Sequence, residues 1–181
     1  MQSDRNDSFQ RIDCKGVVVI GLLYPIREVK DRVIEMILSS QKVVDLIADD
    51  KYKTAPAPGL MYRRVFPFVF IPQTVDRASA LVCVEANITS VKSDTVCDVE
   101  LIIVTMCHGD TMRTDFGTRI DALADEIDEL FNHTRELGIG RVTPSVRYPT
   151  DYSLPNYGYV ARKVKYTIPN FNFRFGATYD G

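Results

Sequence analysis

The sequence lacks an excess of positive charge. Twenty-two Lys and Arg stand against 24 Asp and Glu, a formal net charge of −2. A protein that holds a phosphate backbone through charge alone needs many unopposed cations, so the composition argues against a general DNA clamp. It also shows no membrane-spanning signal: the apolar stretch Gly16–Leu23 has eight residues, far short of the roughly twenty that a spanning helix needs. Met1–Lys15 is polar and mixed in charge, unlike a signal peptide, and predicts synthesis in a reducing cytoplasm. Read that way, Asn87-Ile-Thr and Asn132-His-Thr match the glycosylation pattern by chance. The four cysteines (Cys14, Cys83, Cys97, Cys107) form no C-x-x-C pair and have no His pair at zinc-ligand spacing. No metal site or cofactor is expected, and a chain of this length needs no disulfide framework.

Catalytic signatures are equally scarce. The only histidines are His108 and His133, and no phosphate-binding glycine loop, nucleophile elbow or H-E-x-x-H run occurs. Cys107-His108 has the makings of a thiolate–imidazole couple, but neighbours on a strand point to opposite faces. Gly138-Ile-Gly140 follows a helix and reads as a stop and turn. No catalytic residue is therefore expected.

What is present is an ordinary globular composition: 181 residues, 45% apolar and 25% charged. Such a chain forms one domain and buries about 70% of the surface exposed by its unfolded form. Ile26, Val29, Val33, Ile37 and Val44 recur at helical spacing from Pro25 onward, and the pattern fades at Asp49-Asp50. Val65–Ile71 reads as an extended edge segment, because Pro67 is ill suited to a central strand. Ala80–Ile88 and Cys97–Cys107 are stronger strands, joined by the long polar stretch Thr89–Val96, which predicts a protruding tip. Ile120, Leu123, Ala124, Ile127, Leu130 and Phe131 form the clearest apolar stripe, a helix capped by Thr114 or Asp115. Gly140–Tyr148 and Tyr157–Ile168 are predicted as further strands. The expected fold is α+β, a mainly antiparallel sheet with two helices packed on one face. The boundaries are an N-terminal arm with its apolar segment (1–23), the domain (24–170) and an aromatic tail (171–181).

Charge is unevenly distributed. Residues 115–136 hold seven acids and two bases, a net of −5, whereas 137–181 hold six bases and two acids, a net of +4. Asp121, Asp125, Asp128 and Glu129 lie on the polar side of the second helix. Most runs of this kind are solvated faces, though such acids can also bind a partner or Mg²⁺. Within one fold the two segments can neutralise each other. On different faces they can join copies head to tail, the arrangement that closes rings.

Three stretches resemble tailed-phage neck proteins of the tail terminator or tail-completion (head–tail joining) family. They are Arg64-Val-Phe-Pro-Phe-Val-Phe-Ile-Pro72, Cys107-His-Gly-Asp-Thr-Met-Arg-Thr-Asp-Phe-Gly117, and Arg119–Phe131 with Gly138-Ile-Gly-Arg141. The likeness spans residues 26–170, and the arm Met1–Leu23 lies outside it. The resemblance implies a small α+β subunit that forms a ring, usually a hexamer, on the tail tube, stops its growth and meets the head connector or stopper. Genomic DNA would pass through the lumen without specific binding, and an acidic or neutral lumen would not retard it. On this reading Asp121, Asp125, Asp128 and Glu129 meet Arg162, Lys163 and Lys165 of a neighbouring subunit. Lys92 and Asp94 in the tip, with Phe171 and Phe173 in the tail, touch the tube or connector. The expected location is the virion neck, after assembly in the host cytoplasm. The alternatives are another neck component, such as a head-completion stopper, or a metal-dependent phosphodiesterase or nuclease built on Asp121 and Asp125.

Overall fold

The computed structural model describes residues 11–12, 18–19, 24–48, 57–70, 79–93, 96–115, 117–137, 141–145, 150–154 and 158–172. In chain order they form β1 (Arg11–Ile12), β2 (Val18–Val19), α1 (Tyr24–Ser39), α2 (Gln41–Ile47), β3 (Val65–Phe66), β4 (Ala80–Ser93) and β5 (Val96–His108). There follow β6 (Arg113–Thr114), β7 (Gly117–Thr118), α3 (Arg119–Phe131), β8 (Thr143–Pro144), β9 (Thr150–Leu154) and β10 (Tyr159–Asn172). The main sheet has the order β3-β4-β5-β10-β8, with β9 also beside β10. All its described pairings are antiparallel except β3 with β4, so the fold is α+β with a mainly antiparallel sheet.

The two-residue repeat of the strands divides the core. Val82, Val84 and Ala86 of β4, Val99, Leu101 and Ile103 of β5, and Val164, Tyr166 and Ile168 of β10 all face the helices. There they meet Val29, Val33 and Ile37 of α1, Val43 and Ile47 of α2, and Ile120, Leu123, Ile127 and Phe131 of α3. The intervening residues Leu81, Cys83, Ile102, Val104, Met106, Tyr159 and Ala161 form a smaller second cluster on the other face. The β3 segment covers that cluster: Phe66 stacks on Phe70 at 4.4 Å and meets Phe68 edge-on at 5.9 Å. Val65–Phe66 take the edge position expected for Val65–Ile71, while residues 67–70 leave the strand and Ile71 lies outside the described residues.

Several expectations need correcting. The first helix is two helices, because Ser40 leaves helical geometry (φ −81°, ψ 109°) and its hydroxyl accepts the Val43 N–H. A serine side chain that satisfies an orphan donor starts a new helix as readily as it continues an old one. The cap of α3 is Thr118, not Thr114 or Asp115, which belong to the β6–β7 turn. The presumed linker Thr89–Val96 is mostly strand: β4 runs to Ser93, β5 starts at Val96, and bulges at Ile88/Ser90 and Val91/Ser93 absorb the polar residues. Of the described residues in Gly140–Tyr148, Thr143–Pro144 pair with β10, where Ser145 also donates to the Lys165 carbonyl, and β10 pairs with the unforeseen β9 as well. β10 itself continues through Asn172, two residues into the segment expected to be tail.

Candidate functional site

The acidic helix lies across the basic strand of its own chain. α3 packs over β5 and β10, and Arg162 of β10 points toward the helices. At the N-terminus of α3, Asp121 accepts the Thr118 hydroxyl and pairs with the Arg162 guanidinium. Two turns further on, Asp128 accepts the Tyr166 hydroxyl at 2.8 Å and the Asn132 amide at 3.0 Å. Burial, reinforced by the Asp128 carboxylate, holds the Tyr166 hydroxyl far above the ordinary phenol range. Glu126 and Glu129 each lie 3.2 Å from Lys42 Nζ of α2, and these two carboxylates raise the Lys42 pKa.

Thus Asp121 and Arg162, expected to meet across subunits, meet within one chain. The cause is topological: β10 lies under α3, a placement that linear charge spacing does not reveal. Lys163 and Lys165 occupy the opposite face of the sheet, where Lys165 pairs with Glu100 at 3.3 Å. Among the described residues neither Asp125 nor Lys163 has an ion-pair partner, and they sit on opposite sides of the domain, the helical layer and the other face of the sheet.

The second set of expected contact residues separates more sharply. Lys92 stands in the exposed hairpin end. Its ammonium lies 2.7 Å from Asp98 and donates to the Asn170 side-chain oxygen at 2.8 Å. Asp98 also accepts the Asn170 backbone N–H and the Ser90 hydroxyl, both at 2.8 Å. The Lys92 bond, then the Asn170 and Ser90 bonds, pull the Asp98 carboxyl down to about 2. Strands β4, β5 and β10 are thereby knotted together at the hairpin end, while Val91 beside the knot is 59% exposed. The sequence reading missed Asp98 and Asn170; the signal available was Pro169-Asn170, a turn-forming pair inside a strand, and Asn170 adopts φ 52°.

Phe171 is a correction: it is fully buried and cannot touch a tube or connector. The irregularity between Ile168 and Phe171 resets the alternation, so its ring joins the helix-side core, with the Arg32 guanidinium 5.6 Å from its centre. Asp94 and Phe173 lie outside the described residues.

Cys107 and His108 point apart, as strand alternation requires. Burial raises the Cys107 thiol, which lies 3.5 Å from the Thr111 hydroxyl in the helix-side core. His108 Nδ1 accepts the Asp110 N–H at 3.2 Å, and its ring meets Tyr159 edge-on at 5.2 Å. The Tyr159 hydroxyl in turn lies 3.1 Å from Ser79 Oγ. Among the described residues no group of three or more His, Cys, Asp or Glu side chains is placed to hold a metal ion. No described helix is long and apolar enough to cross a membrane.

No protein with curated function matches the chain. The sequence model of the YomW family matches residues 36–168, from the second half of α1 to β10, well over half of the molecule. The chain therefore belongs to the YomW family, and it is a phage-associated protein.

Proposed function

We propose that this protein is a structural virion component, a ring-forming tail terminator that caps the tail tube at the head–tail junction and joins it to the head connector. The observation that carries the reading is the knotted hairpin end. A bare two-stranded projection is marginal in water. Here three strands are tied by Lys92, Ser90, Asp98 and Asn170 while Val91 is left in solvent. A braced hairpin end of this kind, polar but for Val91, suits docking against another protein, with little entropy lost on binding. Phage association of the family and the likeness of three sequence stretches to neck proteins support the same assignment.

In this reading the mechanism is geometric. The subunits close a ring through the helical layer of one copy and the opposite sheet face of the next, where Asp125 and Lys163 are charges without an ion-pair partner among the described residues. The hairpin ends meet the tube. The nuclease alternative fits less well, since Arg162 and Thr118 already engage Asp121 and Tyr166 engages Asp128. The test is tube length: purified tube protein polymerised with the chain should give short tubes carrying one ring per end. Val91→Asp, which leaves the Lys92–Asp98–Asn170 bonds in place, should restore unlimited growth without unfolding the domain. Tubes of unchanged length in the presence of the wild-type chain overturn the assignment.

A further inference from the structure

Two large aromatic side chains stand in solvent on either side of β3: Tyr62 is 62% exposed and Phe68 46%. Buried neighbours hold the backbone that carries them. Leu60 and Val65 are fully buried, and the chain turns tightly between them. The Leu60 carbonyl accepts the N–H groups of Arg63 and Arg64 at 3.1 and 2.8 Å, and the Val65 carbonyl accepts that of Tyr62 at 2.8 Å. This turn sets Tyr62 at φ 58°, where a bulky side chain crowds its own backbone and Gly or Asn fits better. Phe68 is braced as well. Lys30 of α1 donates to the Pro67 carbonyl at 2.8 Å, and the Phe68 ring meets Phe66 edge-on. A strained tyrosine whose ring is mostly in water adds little to its own fold, so its use lies outside the subunit.

We infer that Tyr62 and Phe68 are the apolar anchors of the joint between subunits, seated on the α2–α3 surface of a second copy. The inference rests on the ring reading and supplies the apolar contact that Asp125 and Lys163 alone do not. Phe68 meets the Phe66–Phe70 stack, which packs on Cys83. In register Cys83 lies opposite Val104, and Val104 opposite Lys163. Lys163 therefore stands two strand spacings, about 10 Å, from Cys83 on the same sheet face. One neighbouring surface covers that span.

Charge selects the occupant. Arg63 is exposed beside Tyr62. The outward surface of α2 and α3 is its complement: Asp45, Asp125 and Glu129 are exposed, and Leu46 and Leu130 are half-buried beside them. Lys42, exposed on the same surface, is already held by Glu126 and Glu129. Leucines with an acidic rim fit aromatic rings beside an arginine, and aromatic and Arg side chains are the common anchors of protein interfaces. The aromatic and acidic surfaces are different parts of one subunit. Their contact is therefore head to tail and can propagate round a ring.

The experiment places the photo-reactive p-benzoyl-phenylalanine at Tyr62 or at Phe68 of the full chain. Heavy-isotope-labelled and unlabelled chains are mixed, irradiated and digested, and cross-linked peptides are identified by mass. Adducts to α2 or α3 are expected, with heavy peptides joined to light ones. In parallel, Tyr62→Asn should weaken self-association about tenfold while leaving the urea midpoint unchanged or higher. Four photochemical results overturn the joint while the native mass keeps the ring: adducts only within single chains, only to tube protein, only to another surface of the second copy, or none from an assembled chain. A Tyr62→Asn chain that assembles like wild type, or whose stability falls with its assembly, overturns it too. A chain that never assembles, alone or on tubes, overturns both the joint and the ring.

Discussion

Two residues test how tightly the domain is specified. Gly158 has φ 68°, and a Cβ there would lie 2.6 Å from His108 Nε2. Both the backbone and the imidazole therefore demand glycine. Gly158→Ala should cost more than about 1 kcal/mol, and part of that loss should vanish in a His108→Ala background. Urea denaturation of the four proteins checks this; additive losses would show that the ring contact is irrelevant. Tyr166→Phe removes the hydroxyl from the part-buried Asp128 carboxylate, which keeps only Asn132. A loss of about 1–3 kcal/mol is expected, and an unchanged urea midpoint would contradict it. Neither residue was singled out for such a role by the sequence alone. Tyr166 showed as an inward strand position, but its acceptor sits 38 positions away, and a long-range hydrogen bond has no local spacing signature.

Among the elements, the hairpin end makes the sharpest claim. The Asp98 carboxyl has its folded pKa depressed to about 2, so its contribution is present above the unfolded value near 3.9 and fades as pH falls from there toward 2. Protection of the Thr89–Val91 amides, measured as exchange against the intrinsic rate at each pH, should therefore fall through that window, and Asp98→Asn should abolish that fall. Equal acid sensitivity in both proteins would contradict the role given to the knot. At this scale much was legible: the stripe of α3, the cores of β4 and β5, the edge character of the β3 segment and the one-sided helical layer all follow from apolar periodicity. What periodicity missed were local reversals. Ser40 restarts a helix with one side-chain hydrogen bond, and the irregularity before Phe171 turns an apparent tail residue inward. Each depends on a few kcal/mol or less of local hydrogen bonding, which pattern counting does not weigh.

For the whole molecule, the segmental charge asymmetry was a true feature of the chain whose partners were misjudged. Asp121 with Arg162, and the glutamates of α3 with Lys42, neutralise each other inside one subunit. What remains for a neighbour among the described residues is smaller and lies elsewhere, at Asp125, Lys163 and the hairpin end. Surface pairs such as these contribute little singly, so ring closure must draw mainly on apolar and main-chain contact and should tolerate moderate salt. The most direct check is the native mass of the full chain, measured over a wide concentration range and again on tube ends. A single closed oligomer of fixed number, a hexamer, is the predicted result. A protein that stays a lone subunit in both settings would contradict it.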